Sequence, residues 1–537
     1  MDAELIKLPT GLESFDVISK GGLPKGRTTL VSGTAGSGKT AFAVQFLAAG
    51  IRAGQPGVLV TFEESIGDIR ANMRGFGWDL ATWEREGKLA VVDASPDPNV
   101  ETVESGMFDL GALLARVRRA VDRVGAQRVS VDSLGAVFSQ FSDQSIVRRE
   151  LFRIAWSLKD MGVTAVLTAE RTDDYGSVAR FGVEEFIADN VMILRNVLDG
   201  ENRRRTVEIL KFRGTDHQKG EVPLTIVAGM GVVVMPLSAM QLRQKSSDVR
   251  ISSGNGELDQ MCGGGFFRDS VILVSGATGT GKTLTVAQFL KGGAAVGERC
   301  LLLAFEESRE QLFRNAIGWG IDFDRMERDG LLRVVCEYPE TEGLEDRLHS
   351  IQDIIEEFKP NRVAVDSLSA LERVGTIKAF REFVIGLTSF IKHKEVTGLF
   401  TATTASLMGG TSITEAHIST LTDSIILLRY VEMFGEMKRG MTVLKMRGSL
   451  HDKRIREFKI DGTGMHLGSP FRTVTGIMAG SPGYVSPSEL EWVWSKFDEG
   501  SQASLAELTE VGERRRGTDR RRPDMPGNGE NGPNVAT

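Results

Sequence analysis

Residues Thr28 to Gly50 read TTLVSGTAGSGKTAFAVQFLAAG. An apolar run of strand type, Thr28–Ser32, gives way to the glycine-rich octet Gly33–Thr40, which opens a run with helical apolar spacing. The octet has the form G-x-x-x-x-G-K-[ST]. Between a strand and a helix that form is a phosphate cradle. Its glycines let backbone N–H groups turn inward around phosphate oxygens, and the helix N-terminus favours negative charge. Lys39 then reaches the β/γ-phosphates and Thr40 offers its hydroxyl to Mg²⁺.

The octet returns as GATGTGKT, Gly276–Thr283, after SVILVS and before LTVAQFLKGG. Lys282 lies 243 residues after Lys39, and the same offset relates Asp259 to Asp16, Glu306 to Glu63 and Glu307 to Glu64. Further on the offset is 234, pairing Asp366 with Asp132, Lys445 with Lys211, Arg447 with Arg213 and His451 with His217. A constant offset with one short deletion marks a tandem duplication. Two nucleotide-binding domains are expected, residues 1–247 and 248–470, followed by a tail at 471–537. The polar stretch LRQKSSDVRISSGNG holds the boundary.

The totals agree with this. A chain of 537 residues suits two or three domains, and 41% hydrophobic with 26% charged residues is the balance of a soluble globular protein. A formal net charge of −7 argues against a dedicated DNA-binding machine, whose footprint is basic. Cys262, Cys300 and Cys336 lie far apart, with no C-x-x-C, and read as buried small hydrophobes in a reducing compartment. No signal segment opens the chain and no apolar run reaches membrane-spanning length, so a cytoplasmic location is expected. The end, ERRRGTDRRRPDMPGNGENGPNVAT, is too poor in apolar residues to fold alone, and SELEWVWSKF before it predicts a short helix.

Within the first half, strand-like runs (PGVLVTFEES, KLAVVDAS, RVSVDSLGAV, VTAVLTAER) alternate with helical ones (LGALLARVRRAVDRVGAQ and Val147–Lys159). Such alternation predicts an α/β fold, a mostly parallel sheet covered by helices, with ligands at the carboxyl ends of the strands. From DNVMILRNV onward short strands between charged turns predict an antiparallel extension.

A cradle binds nucleotide but does not hydrolyse it. Hydrolysis needs an oriented water, a proton acceptor, Mg²⁺ and extra positive charge on the γ-phosphate. Glu63 and Glu64, expected to end the strand next to the one bearing the loop, suit the general-base and water-orienting roles, and Glu306 and Glu307 repeat them. Asp132 and Asp366 end the runs RVSVD and RVAVD, the place of a carboxylate holding Mg²⁺ through water. LKFRGTDHQKG and LKMRGSLHDK carry Lys211, Arg213, Lys445 and Arg447. In a ring these side chains could reach a neighbour's γ-phosphate; otherwise they form an exposed basic hairpin.

Over roughly residues 5 to 485 the chain resembles the circadian-clock ATPase and kinase family KaiC. The resemblance is carried by TAERTDDYGSVARFGVEEFIADNVMILRNV in the first half and MCGGGFF before the second loop. VIGLTSF, AHISTLTDSIILLRYVEMFGEM and KMRGSLHDKRIREF carry it in the second half. It implies two tandem RecA-like P-loop NTPase domains in a homohexamer of stacked rings, with ATP and Mg²⁺ at subunit interfaces. The first half would hydrolyse ATP slowly, with Glu63 and Glu64 as catalytic carboxylates and Arg213 acting from the adjacent subunit. Gly36, Ser37, Gly38, Lys39, Thr40, Ala41, Lys211, Phe212, Thr215 and His217 would make the first nucleotide site. Thr278, Gly279, Thr280, Gly281, Lys282, Thr283, Leu284, Trp319, Arg439, Lys445, Met446, Arg447, His451 and Lys453 would make the second, Trp319 being open equally to plain core packing.

The resemblance gives the second half autokinase and autophosphatase roles, with Ser419 and Thr420 as phosphoacceptors, Thr414 as a transient one and Glu306 taking the acceptor's proton. Thr40, Thr283, Glu306, Asp132 and Asp366 would serve the metal, and Arg373 would pair with the added phosphate. From the residues alone, Ser419–Thr420 reads equally as a strand-entry turn. Glu415 stands where the family has Asp. GIMAGSPGYV resembles the loop on which the activator KaiA pulls, but the tail beyond it departs from the activator-binding one. A KaiB-type partner on the first half is therefore expected, and dependence on a KaiA-type activator is doubtful. Two rivals share the fold class: a nucleic-acid-dependent RecA- or DnaB-like ATPase, against which the acidic balance speaks, and a nucleotide-bound signalling scaffold without kinase activity.

Overall fold

The computed structural model describes residues 5–95, 110–135, 144–180, 184–236, 247–404, 418–471, 474–477 and 483–484. The expected short helix at SELEWVWSKF, the arginine-rich end, Thr414 and Glu415 lie outside them.

Each half is built on a nine-stranded sheet. In the first the strands are β1 (Thr28–Gly33), β2 (Gly57–Thr61), β3 (Leu89–Asp93), β4 (Arg128–Asp132) and β5 (Thr164–Glu170), then β6 (Asn190–Asp199), β7 (Asn202–Phe212), β8 (Glu221–Val227) and β9 (Gly231–Val234). The second repeats them as β10 (Val271–Gly276), β11 (Cys300–Ala304), β12 (Leu332–Cys336), β13 (Arg362–Asp366) and β14 (Thr397–Thr403), then β15 (Ser424–Met433), β16 (Glu436–Met446), β17 (Arg456–Asp461) and β18 (Gly464–Pro470). The first sheet is ordered β9-β8-β7-β6-β1-β5-β4-β2-β3, and the second has the same order at the repeated positions. β1 pairs in parallel with β5 and β6, whereas β6 to β9 pair antiparallel, so the extension expected after Asp189 is present.

One placement differs from expectation. The strand before Glu63 and Glu64, β2, does not neighbour β1; β5 and β4 stand between them. Parallel strands need crossover connections, so strands consecutive in sequence need not be neighbours in the sheet. The carboxylates reach the loop's threonine by way of β4, where Thr61 is paired with Asp132.

The inner strands are apolar on both faces because helices cover both. Leu30, Val58 and Val60 pack with Leu113, Val117 and Leu151 of the helices Leu110–Val124 and Gln144–Asp160. Their alternates Val31 and Leu59 pack with Phe42, Phe46 and Trp78 on the side of the helix Lys39–Arg52. Cys262 and Cys300 are buried, and burial pushes both thiols up to about 12. Cys336 is only half-buried, at the carboxyl end of β12, and departs from the expected pattern. The halves meet where Arg204 of β7 reaches across to Glu345 at 2.7 Å and to Glu382, on the helices Leu344–Phe358 and Ile377–His393. Among the described residues no helix is long and apolar enough to cross a membrane.

Candidate active sites

At the first loop, Gly38 has φ +96° and caps the helix Lys39–Arg52, a backbone state that favours glycine. A Cβ there would lie 3.0 Å from Ile226. Lys39 Nζ donates to the Thr34 carbonyl at 3.0 Å, and Thr40 Oγ1 donates to Asp132 Oδ2 at 2.7 Å. Thr168 of β5 donates to the other oxygen of Asp132. Ser133, next in sequence, donates to Glu63 Oε1 at 2.6 Å, and Glu64 accepts from Asn72 Nδ2 at 3.4 Å. Loop lysine, loop threonine, strand-end aspartate and one of the paired glutamates thus form one connected group. The donor set fits a polyphosphate with a divalent cation: the N-terminus of the helix Lys39–Arg52, an ammonium, and a hydroxyl backed by a carboxylate.

Burial lowers the Lys39 pKa, opposed by the charges of Glu170, Asp132 and Glu63. Burial first, and then Asp132, push the Glu64 carboxyl above its usual range. An acid raised in this way holds a proton more readily, the property wanted of a group that must accept one.

The second site repeats the network. Gly281 caps the helix Lys282–Ala294 at φ +107°. Lys282 Nζ donates to the carbonyls of Gly276 at 2.9 Å and Ala277 at 3.1 Å. Asp366 accepts from Thr283 and Thr401, and its burial pushes the carboxyl up. Ser367 Oγ donates to Glu306 Oε1 at 2.8 Å, and Asn315 Nδ2 to Glu307 Oε2 at 3.1 Å. Glu307 is raised by burial and then by Asp366. One charge differs: Glu170 at the end of β5 has Thr403 as its counterpart, each paired with the last residue of the strand before its loop.

The basic motifs hold the other end of the strands. Lys211 Nζ donates to the carbonyls of Glu185 at 2.9 Å and Ala188 at 2.8 Å, and Arg213 faces Asp189 at 3.6 Å. At the 234-residue offset, Lys445 Nζ donates to the carbonyls of Ser419 at 3.0 Å and Thr422 at 2.6 Å. Arg447 donates to the Thr420 carbonyl at 3.0 Å and faces Asp423 at 3.7 Å. Ser419 and Thr420 sit in a single 3-10 turn, Ile418–Thr420, leading into β15. It is a strand-entry turn gripped by both residues of the basic motif.

Phe212 and Met446 are buried in the cores of their halves, with His217 tilted against Phe212 at 5.8 Å. Trp319 is half-buried against the second core. Arg439 reaches its own loop, donating to the Gly279 carbonyl at 3.4 Å. Thr215 and His451 are half-buried, and Lys453 and Arg373 are exposed.

A family model for the KaiC ATPases matches residues 8–239 and again 251–470. The chain belongs to the KaiC family of ATPases. It is 66% identical over 493 residues to the Circadian clock protein KaiC3 of a Synechocystis strain, covering 92% of this chain and 98% of that protein. It is 59% identical over 488 residues to the Circadian clock oscillator protein KaiC of Thermostichus vulcanus, covering 91% and 94%. To the protein of that name from Synechococcus elongatus it is 56% identical over 486 residues, covering 90% and 93%. The two nine-stranded α/β sheets are its tandem RecA-like domains.

Several side chains of these KaiC-type sites escaped the sequence reading. Ser133 and Ser367 fix Glu63 and Glu306, and Thr168 and Thr401 brace the aspartates. The usable signal was the doubling itself, since D-S recurs at the 234-residue offset and the strand threonine at 233.

Proposed function

We propose that this chain is a clock or timer ATPase that phosphorylates and dephosphorylates itself, as a homohexamer in the cytoplasm. Glu63 and Glu64 would activate water at the first site, with Arg213 supplied by the adjacent subunit. At the second site Glu306 would take the proton from Ser419 or Thr420 of the adjacent subunit as the hydroxyl oxygen bonds to the γ-phosphorus. The β–γ bridging bond breaks and ADP leaves. Thr414 would take phosphate transiently. Thr40 and Thr283, with Asp132 and Asp366 behind them, would hold Mg²⁺, which would supply charge neutralisation for the β- and γ-phosphates. Lys282, Lys445 and Arg447 would handle the phosphate, and a KaiB-type protein would dock on the first half.

The observation that carries this is the bond from Ser367 to Glu306, which ties a carboxylate to the strand-end aspartate of the same loop threonine. An aimed carboxylate beside a phosphate cradle supports catalysis over mere nucleotide storage. The test is incubation of the purified chain with Mg-ATP and phosphosite mapping by mass spectrometry. Ser419→Ala/Thr420→Ala and Glu306→Gln/Glu307→Gln variants run beside it. Phosphate on Ser419 or Thr420 that vanishes in the glutamate variant supports the kinase. ATP hydrolysis with no phosphate on the chain would sink it.

A further inference from the structure

The first phosphate loop is held from outside at three successive residues. Thr34 Oγ1 donates to Asp174 Oδ1 at 2.8 Å, Asn196 Nδ2 donates to the Ala35 carbonyl at 3.2 Å, and Arg205 Nε donates to the Gly36 carbonyl at 3.0 Å. Asp174 is itself fixed. The Asn196 amide donates to the same Oδ1 at 3.0 Å, and Arg195 Nε donates to the Asp174 carbonyl at 3.0 Å. Arg195 is buried, bonded to Glu208 at 2.6 Å and lying over the Tyr175 ring.

Among the described residues the second loop shows one of these holds. Arg439 to Gly279 repeats Arg205 to Gly36. Ala277, without a hydroxyl, stands for Thr34 and Tyr430 for Asn196, while the stretch answering to Asp174 lies outside the described residues. The contrast lies within one chain and one fold, so it is not a general need of the scaffold.

Thr34 is also the hub of the loop's interior. Its carbonyl accepts from Lys39 Nζ at 3.0 Å and from Ser37 Oγ at 2.8 Å. Holding its hydroxyl and the next two carbonyls outward keeps the N–H groups turned inward. A loop ordered in advance loses less freedom when it takes up phosphate and lets go of it more slowly. We propose that Asp174 and Asn196 are positioning residues that clasp the first phosphate loop through Thr34 and Ala35, and that this clasp slows nucleotide release from the first site relative to the second. The proposal rests on both loops holding nucleotide.

The test is the dissociation of a fluorescent ADP analogue, chased with excess ADP, from the full chain carrying Lys282→Ala to silence the second loop. Thr34→Val keeps the side chain's volume and removes its donor, so loss of folding does not obscure the result. Thr34→Val and Asp174→Ala each release the analogue about tenfold faster, the scale of one hydrogen bond to a charged group. The double variant is no faster than either single one, and Thr34→Ser restores release to within about twofold of the parent. Unchanged release in Thr34→Val, or fully additive effects, overturns the clasp. A parent chain that binds no analogue defeats the nucleotide-site reading itself, a distinct failure.

Discussion

Replacing Lys445 with Met removes the ammonium that holds the turn carrying Ser419 and Thr420 and leaves most of the aliphatic stem. Two bonds disappear, to the Ser419 carbonyl at 3.0 Å and the Thr422 carbonyl at 2.6 Å. A hydrogen bond to a charged group contributes about 1.5–3 kcal/mol. Burial and the nearby Arg447 lower the Lys445 pKa, so its removal also relieves a cost. Netting the two for a half-exposed site gives about 2 kcal/mol, a shift of about thirtyfold in the local opening of the turn. The amide of Leu421, which donates to the Ile418 carbonyl at 2.9 Å, reports that opening by hydrogen exchange. The expected result is about thirtyfold faster exchange at Leu421, with slower phosphate incorporation at Ser419 and Thr420. The Arg447→Ala variant, losing one bond to Thr420 and a 3.7 Å ion pair, should give a smaller effect. Unchanged protection at Leu421 in Lys445→Met would refute the idea that this lysine holds the turn.

Three further outcomes follow from the same geometry. Glu307→Gln removes a carboxylate that burial and Asp366 disfavour. The folded chain binds that proton more tightly than the unfolded one, so the penalty is present above the raised pKa and absent below the ordinary carboxylate value. Melting should therefore rise by about 1–2 °C at neutral pH and not at strongly acid pH, while turnover falls by at least about 10²-fold. A neutral-pH melt that falls would contradict the assigned strain. In the wild-type chain, turnover should decline with an acid limb above the ordinary carboxylate range, because Glu64 and Glu307 are both raised; a flat profile down to pH 4.5 would contradict this. Arg204→Ala leaves Glu345 and Glu382 facing each other without their cation and should cost about 2–3 kcal/mol. Calorimetry should then resolve two transitions for the halves, and an unaltered single transition would argue against the contact.

What could be read from the sequence divides by the range of the interactions. The cradle, its helix and the strand-end aspartates are local, since residues next to each other in the chain make them. The duplication was legible because each half carries the other's pattern. The position of β2 was not, since Glu63 follows a strand that sheet order puts three places from β1. Ser133 and Thr168 look ordinary until folding brings one to Glu63 and the other to Asp132. Lys445 lies 26 residues from Ser419, too far for a turn motif to reveal the grip.

The duplicated chain is its own control on which residues the fold needs. Positions that bind the loop threonine, the aspartate and one glutamate together are the same in both halves, whatever each half does. The halves differ at Glu170 against Thr403 and Thr34 against Ala277, by the loops, and at Glu185 against Ser419, at the other end of the strands. The last is informative because Lys211 grips the Glu185 carbonyl as Lys445 grips that of Ser419, so the two carbonyls are equivalently placed. At this place the first half carries a carboxyl side chain, Glu185, and the second a hydroxyl, Ser419. Phosphate on Ser419 would put nearly two negative charges where the first half has that carboxyl group. If Ser419 takes phosphate, the second half would alternate between an uncharged and an anionic turn, while the first carries a carboxyl side chain there throughout. Ser419→Glu should then make the turn of the second half resemble that of the first. Leu421 protection in that variant should follow the phosphorylated chain, and protection matching the unphosphorylated chain would break the equivalence.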